Sequence, residues 1–346
     1  MEDSFGRTIN YMRISLTDRC NLRCIYCMPP EGIPQMSHID ILRSEEIVRI
    51  VRIAADLGIT NIRLTGGEPL VRKGIAGLIS DIRAIPGIED ISMTTNAILL
   101  PRMADDLKAA GLDRVNISLD TLDAAQFAEI TRLGKLDSVL EGIDAALKAG
   151  FDPVKINAVT VRRLSQDFLA FARMSVDRPL HMRFIEYMPV GTSSGYDNSG
   201  WGPEDVVPSE EVHAAINAAA RSQGLPELEE VRDSDKPLGY GPAKYYRFPG
   251  ALGTVGFISP LSKHFCGECN RLRLTADGKL RPCLFSDIEY DIRTAAREGT
   301  DDDIANVFYT AIGAKPDEHH DKVGTERGNT LCLGSAILTT GQPGKP

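Results

Sequence analysis

Four times in the first half of the chain, an amphipathic run ends at a glycine and a short apolar run follows. The stretches are "AADLGITNIRLT", "AIPGIEDISMTT", "LKAAGLDRVNISL" and "ALKAGFDPVKINAV", with Gly58, Gly87, Gly111 and Gly150 at the junctions. A glycine just past a helix accepts left-handed backbone and stops the helix. The runs before the glycines keep a 3.6-residue period: Ile47, Val48, Ile50, Val51, Ala54 and Leu57 in one, Val139, Leu140, Ile143, Ala146 and Leu147 in another. The runs after them have the length and composition of strands. Six strands are predicted, at 9–15, 60–65, 91–95, 114–119, 154–160 and 181–187. Strands alternating with helices imply parallel βα units.

Successive residues of a strand face opposite sides. Met12, Ile14 and Leu16 oppose Arg13 and Ser15, and Ile62 and Leu64 oppose Arg63 and Thr65. Val115, Ile117 and Leu119 oppose Asn116, Ser118 and Asp120; Val154, Ile156 and Ala158 oppose Lys155 and Asn157. The apolar faces can pack on the helices, so the polar faces must point somewhere together. A full eight-stranded barrel fills its interior with branched apolar side chains. A polar, cationic interior suits an incomplete (β/α)6 barrel with a wide cavity. A flat doubly wound sheet is the other solution, but it leaves polar residues in mid-strand unexplained.

The pattern changes near Pro189. "MPVGTSSGYDNSGWGPEDVVPSEE" reads as a loop, a helix is predicted at about Ser209–Ala220, and short strands and turns follow in "KPLGYGPAKYYRFPGALGTVGFISP". The expected organisation is a partial barrel over residues 5–205, a C-terminal region over 206–320, and a tail over 321–346.

Composition narrows the function. The chain has 346 residues, 42% hydrophobic and 25% charged, as soluble globular proteins do. No apolar run approaches the roughly 20 residues of a membrane helix. "MEDSFGRTINYMRIS" is no secretory signal, so a cytoplasmic protein is expected, without membrane or nucleic-acid partners at a net charge of −9.

The seven cysteines are clustered, which in a reducing compartment suggests metal or redox chemistry. Cys20, Cys24 and Cys27 form C-x3-C-x2-C in "SLTDRCNLRCIYCMPPEG". A cubane iron–sulfur cluster takes four ligands, so three in one loop leave an iron open to an exchangeable one. Structural zinc also uses close cysteine pairs, but nothing nearby completes a zinc site, His38 lying 11 residues on. Cys266, Cys269 and Cys283 form C-x2-C-x13-C, which by itself also fits half a zinc ribbon completed by His264 or Cys332. Arg271 and Arg273 follow on one side of a strand candidate. With Arg13, Arg63 and Lys155 they make five inward cations, which points to a polyanionic substrate, because buried cations without an anion are costly.

C-x3-C-x2-C with an aromatic residue, Tyr26, before its last cysteine resembles the signature of radical S-adenosylmethionine enzymes. "LTGGEP" at Leu64–Pro69, closing the second strand, supports this. "FGRTINYMRISLTDRCNLRCIYCMP", "IRLTGGEPL", "MTTNA", "NISLDTLD", "VKINAV", "RFIEYMPVG" and "FCGECNRLRLTADGKLRPCLF" together resemble the branch of that family that opens molybdenum cofactor (molybdopterin) synthesis, from about Phe5 to about Lys315.

The resemblance implies a partial (β/α)6 barrel with a C-terminal extension carrying a second iron–sulfur cluster, and two 4Fe–4S clusters with S-adenosylmethionine as cofactors. Cys20, Cys24 and Cys27 would ligate the first cluster; Tyr26, Gly67, Ser118 and Met188 would contact S-adenosylmethionine. Cys266, Cys269 and Cys283 would ligate the second cluster, whose open iron would take the guanine of GTP. Arg13, Arg63, Thr94, Lys155, Arg271 and Arg273 would hold the nucleotide, the last two also serving catalysis. The implied reaction removes hydrogen from C3′ of GTP through a 5′-deoxyadenosyl radical, joins C3′ to C8, and ends at (8S)-3′,8-cyclo-7,8-dihydroguanosine 5′-triphosphate. Implied partners are a flavodoxin- or ferredoxin-like electron donor or a chemical reductant, the next pathway enzyme, and a second copy in a homodimer.

Two departures stand out. Ala97 replaces the glycine usual after Thr94-Thr95-Asn96, a strain of roughly 1 kcal/mol if that residue has positive φ. The usual terminal Gly-Gly is missing, Gly341 and Gly344 being separated, so poor GTP turnover is expected. A peptide-modifying radical enzyme with an auxiliary cluster, and a non-catalytic zinc- or cluster-binding scaffold or electron carrier, are the competing readings.

Overall fold

The computed structural model describes residues 1–188 and 201–318, and beyond them the backbone of two short paired strands, Thr330–Leu333 and Ala336–Thr339. The expectations about the rest of the loop after Met188 and about Gly341 and Gly344 fall outside the described residues.

All six strands expected from the pattern form: β1 (Tyr11–Ser15), β2 (Asn61–Thr65), β3 (Asp90–Thr95), β4 (Arg114–Ser118), β5 (Val154–Thr160) and β6 (Leu180–Glu186). They lie side by side in chain order, every pair parallel. The C-terminal region adds β7 (Glu229–Glu230), β8 (Lys244–Arg247), β9 (Thr254–Ile258), β10 (Arg271–Leu274), β11 (Lys279–Arg281) and β12 (Tyr290–Asp291). It extends both edges of the sheet: β10 runs parallel to β1, and β9 parallel to β6. One cavity is lined by residues of β1, β6 and β10 together, so the sheet is curled into an open barrel.

The helices cover its outside for the reason their period gives. Helix α1 (Ser44–Asp56) buries Ile47, Ile50, Val51 and Ala54. Its first turn carries Glu45 and Glu46, and Glu46 accepts the Arg43 amide at 2.7 Å, satisfying an otherwise orphaned donor. Each fully buried isoleucine contributes about 1.5–3 kcal/mol. Met12, Ile14, Ile62, Leu64, Val115, Ile117, Val154 and Ile156 meet these helices from the strands' outer faces. The other strand faces are left for the interior. There the register sets Arg273 opposite Arg13, and Arg13 opposite Arg63.

Candidate active site

The loop after β1 carries the first three cysteines over the C-terminal ends of the strands. Backbone bonds hold it to the last turn of Ala124–Thr131: Arg23 N–H donates to Thr131 O at 3.0 Å and Ile25 N–H to Ile130 O at 2.9 Å. Arg132 grips it from the other side, donating to the carbonyls of Arg23 (2.9 Å) and Met28 (2.7 Å). Gly67 N–H donates to Thr17 O and Glu68 N–H to Arg19 O, both at 2.8 Å. A Cβ on Gly67 would lie 2.3 Å from Arg19 O, so the glycine is required by the cysteine loop packed against it. Ala97 has φ 63° and is fully buried, which meets the expectation of positive φ. Gly142 makes its room: a Cβ there would sit 2.3 Å from Ala97 O.

Cys20, Cys24, Cys27, Gly67, Thr94, Ser118, Asp120 and Tyr26 line one pocket that holds about 690 Å³ of open space including its mouth. Burial pushes the Cys20 thiol up to about 12, with the Glu68 carboxylate adding to the effect. Burial raises Cys27 as well. Two buried carboxyls stand beside these thiols. Glu68 is pushed up to about 7 by burial, against hydrogen bonds from Asn96 N, Thr95 Oγ1 and Leu70 N. Asp120 is pushed up to about 6 by burial, while it accepts the Tyr26 hydroxyl and the Val159 amide.

The second cavity adjoins the first and shares Tyr26, Asn157, Val159 and Ile185 with it. It holds about 1530 Å³ of open space including its mouth. Cys266, Cys269 and Cys283 line it, together with Arg13, Arg63, Arg271, Arg273, Arg183 and Lys315. The electrostatics are reversed here. Cys269 is lowered to about 6: burial would raise it, but Arg271 and Lys315 prevail, Arg271 Nη2 lying 3.6 Å from its Sγ. Arg183 is 3% exposed and held by neutral oxygens, Asn157 Oδ1 at 2.9 Å and Asn116 Oδ1 at 2.5 Å. Arg63 donates to Ser92 Oγ at 3.2 Å and stacks over Tyr11.

Among the described residues, no three His, Cys, Asp or Glu side chains converge as ligands of one metal ion. Each trio of thiols instead lines a cavity wall, as suits a wider, multi-iron group. Each also receives a backbone N–H on sulfur, Leu22 to Cys20 and Phe285 to Cys283, both at 3.4 Å. Among the described residues the buried Thr94 hydroxyl has no hydrogen-bond partner, which leaves it for a polar molecule in the first pocket. The residues therefore fit two clusters and a small polar cofactor.

Comparison with known proteins agrees. Residues 14–174 match the model of the Radical SAM superfamily, and residues 180–321 that of Molybdenum Cofactor Synthesis C. The chain is 52% identical over 322 residues to a GTP 3′,8-cyclase of Pelotomaculum thermopropionicum, covering 92% of this chain and 95% of that one. It belongs to the GTP 3′,8-cyclase family. A second member, from Heliobacterium modesticaldum, is 51% identical over 92% of this chain and 94% of its own. The crystal structure of Streptococcus suis SuiB bound to S-adenosylmethionine has the same fold, with a TM-score of 0.57, 15% identity, and coverage of 91% of this chain and 67% of that one.

Within this cyclase fold the expected site residues divide. Arg13, Arg63, Arg271 and Arg273 line the large cavity with the second cysteine trio. Gly67, Ser118 and Thr94 line the first pocket, Met188 lines the large cavity, and Tyr26 lines both. Lys155 is buried and is not among the residues lining either cavity: its Nζ donates to Leu238 O of the 236–243 loop, as does Arg114 Nη1. Burial and the neighbouring Arg183, Arg114 and Arg63 push Lys155 down to about 5.

Arg183, Tyr11, Asp120 and Lys315 are site residues not expected from sequence. Strand parity carried through β6 would have found Arg183. Lys315 follows a surface helix, and no local pattern marks it.

Proposed function

We propose that the chain converts GTP to (8S)-3′,8-cyclo-7,8-dihydroguanosine 5′-triphosphate, the first step of molybdenum cofactor biosynthesis. The observation that carries this is the pair of adjoining cavities. One thiol trio lies in a pocket lined, among the described residues, by Glu68 and Asp120 and by no Lys or Arg, fit for S-adenosylmethionine, and the other opens on a row of arginines fit for a triphosphate.

The bound cofactors would supply the one-electron chemistry that removes hydrogen from C3′ of GTP. The protein's part is binding, orientation and exclusion of water. Cys20, Cys24 and Cys27 would hold the first cluster, and Tyr26, Gly67 and Ser118 the walls around S-adenosylmethionine. Thr94 lies in that same pocket, where its hydroxyl would reach the nucleotide across the junction. Cys266, Cys269 and Cys283 would hold the second cluster. Arg13, Arg63 and Arg273, adjacent in register, form one surface for phosphate oxygens, with Arg271 beside the second trio; arginine suits such multidentate contacts. Met188, on the large cavity, would contact S-adenosylmethionine from the nucleotide side. Lys155 would join the phosphates once released from Leu238 O.

An electron donor, a next-step enzyme that takes the cyclic product, and a second copy of the chain complete the proposal, which places the protein in the cytoplasm. Among the described residues no helix is long and apolar enough to cross a membrane. The arginine row favours a nucleotide triphosphate over a peptide substrate. The test is anaerobic reconstitution with iron and sulfide, then incubation with S-adenosylmethionine, reductant and GTP. We expect 5′-deoxyadenosine and the cyclic nucleotide together; cleavage stimulated by no nucleotide would sink the proposal.

A further inference from the structure

We infer that Lys315 is a positioning residue of the second cysteine site: it braces the two arms of the loop that carries the thiols and sets a buried positive charge beside them. This rests on the reading that Cys266, Cys269 and Cys283 hold a cluster.

Cys266 and Cys269 precede β10, whereas Cys283 follows β11. The two arms are joined by the pairing of these short strands at Arg273–Arg281 and Leu274–Leu280, away from the thiols. Lys315 closes the open end. Just past the helix Asp301–Gly313, it is 3% exposed, and its Nζ donates to Arg271 O at 2.9 Å and to Pro282 O at 2.7 Å. Arg271 lies two residues after Cys269, and Pro282 immediately before Cys283. The brace is itself anchored. Arg7 donates to Cys266 O at 2.8 Å, to Asp317 O at 2.8 Å and to Pro316 O at 2.7 Å, while its Nε bonds Asp3. Residues 315–317 are thus tied to all three ligand-bearing stretches.

Hydrogen bonding to two carbonyls does not need a charge. Burying an ammonium is unfavourable unless an anion compensates it. Burial lowers Lys315, and Arg7 and Arg271 add to that; Cys269 and Cys283 are the acidic groups that oppose it, and Lys315 lines the same cavity wall as their thiols. Three thiolates around a cluster leave net negative charge, so the ammonium and the loaded site stabilise each other. Charge and hydrogen bonding around a cluster set its reduction potential.

The test uses the full chain, reconstituted anaerobically, with Lys315→Met and Lys315→Arg. The readouts are iron per chain and a redox titration followed by electron paramagnetic resonance; the second-site signal is the one missing from Cys283→Ala. In Lys315→Met we expect first-site iron and S-adenosylmethionine binding to remain. The second site should lose at least half its iron or become at least tenfold harder to reduce, which is 59 mV for one electron. Lys315→Arg, keeping the charge, should hold its iron with a potential near that of the parent. Full iron and an unchanged potential in Lys315→Met would overturn the inference, as would equal loss from both sites, the mark of a general stabilising residue. A parent chain that takes up no second cluster would instead overturn the underlying reading.

Discussion

The two cysteine trios offer the same chemistry in opposite electrical surroundings. Cys20, Cys24 and Cys27 share their pocket with Glu68 and Asp120, and burial raises the thiols of Cys20 and Cys27. Cys266, Cys269 and Cys283 open on Arg13, Arg63, Arg183, Arg271, Arg273 and Lys315, and Cys269 is lowered. The thiols therefore do not choose the ligand; the neighbours do. The first pocket suits a ligand with a cationic sulfonium and amino group. The second suits a polyphosphate, whose charge the arginines meet at close range in a partly dry cavity.

The most drastic way to break this comparison is to remove one thiol from each trio. Cys24→Ala should bring 5′-deoxyadenosine formation to background. Cys269→Ala should keep S-adenosylmethionine cleavage but lose the cyclic nucleotide. Chromatography of both products separates the two outcomes, and identical losses would erase the distinction.

A smaller effect is expected from the arginine row. Arg63→Met or Arg273→Met should weaken GTP binding about 10- to 150-fold, as loss of a charge-assisted hydrogen bond worth about 1.5–3 kcal/mol implies. S-adenosylmethionine affinity should stay within about twofold, since neither residue lines its pocket. Calorimetry with each ligand decides this.

Acidity sharpens the contrast further. Lys155 is lowered to about 5 in the empty protein, so it is neutral at pH 7. A phosphate beside it restores its proton, so GTP binding takes a proton up. Affinity should then fall as pH rises above about 5, by up to tenfold per unit, until the pKa of the lysine in the complex is passed. Binding enthalpies in buffers of different ionisation heat will show the uptake. Lys155→Met should abolish it, and S-adenosylmethionine binding should lack it.

The smallest effect belongs to Ala97, behind the first trio. Ala97→Gly relieves about 1 kcal/mol of positive-φ strain but loses about 0.5–1 kcal/mol to backbone freedom. The thermal midpoint should scarcely move. Gly142→Ala, which drives a methyl into Ala97 O, should lower it by several degrees and disturb the first site before the second.

Much of this was legible before any coordinates. Glycine-terminated helical runs located four of the six parallel strands, β2 to β5, and parity turned Arg13 and Arg63 inward, because period and face are local properties. The cysteine spacings marked both trios. What escaped depends on distant segments meeting. Leu238 O caps Lys155 across 83 residues, and Lys315 reaches Arg271 and Pro282 from beyond a helix. Met188, which the resemblance implies contacts S-adenosylmethionine, follows β6, which ends at Glu186, and lines the larger cavity. The pairing of Tyr26 with Asp120 spans 94 residues and has no signature at either end.

The pairing of β1 with β10 also constrains how the molecule is born. Tyr11 and Arg271 are register partners, yet 260 residues separate them (271 minus 11). While the chain emerges from the ribosome, one edge of β1 waits unsealed until Arg271 has been made. Contacts of such long sequence separation form slowly, and an open strand edge is a template for aggregation. A chain stopped before Arg271 would carry the first thiol trio beside an exposed edge, with Arg13 and Arg63 but without Arg271 and Arg273.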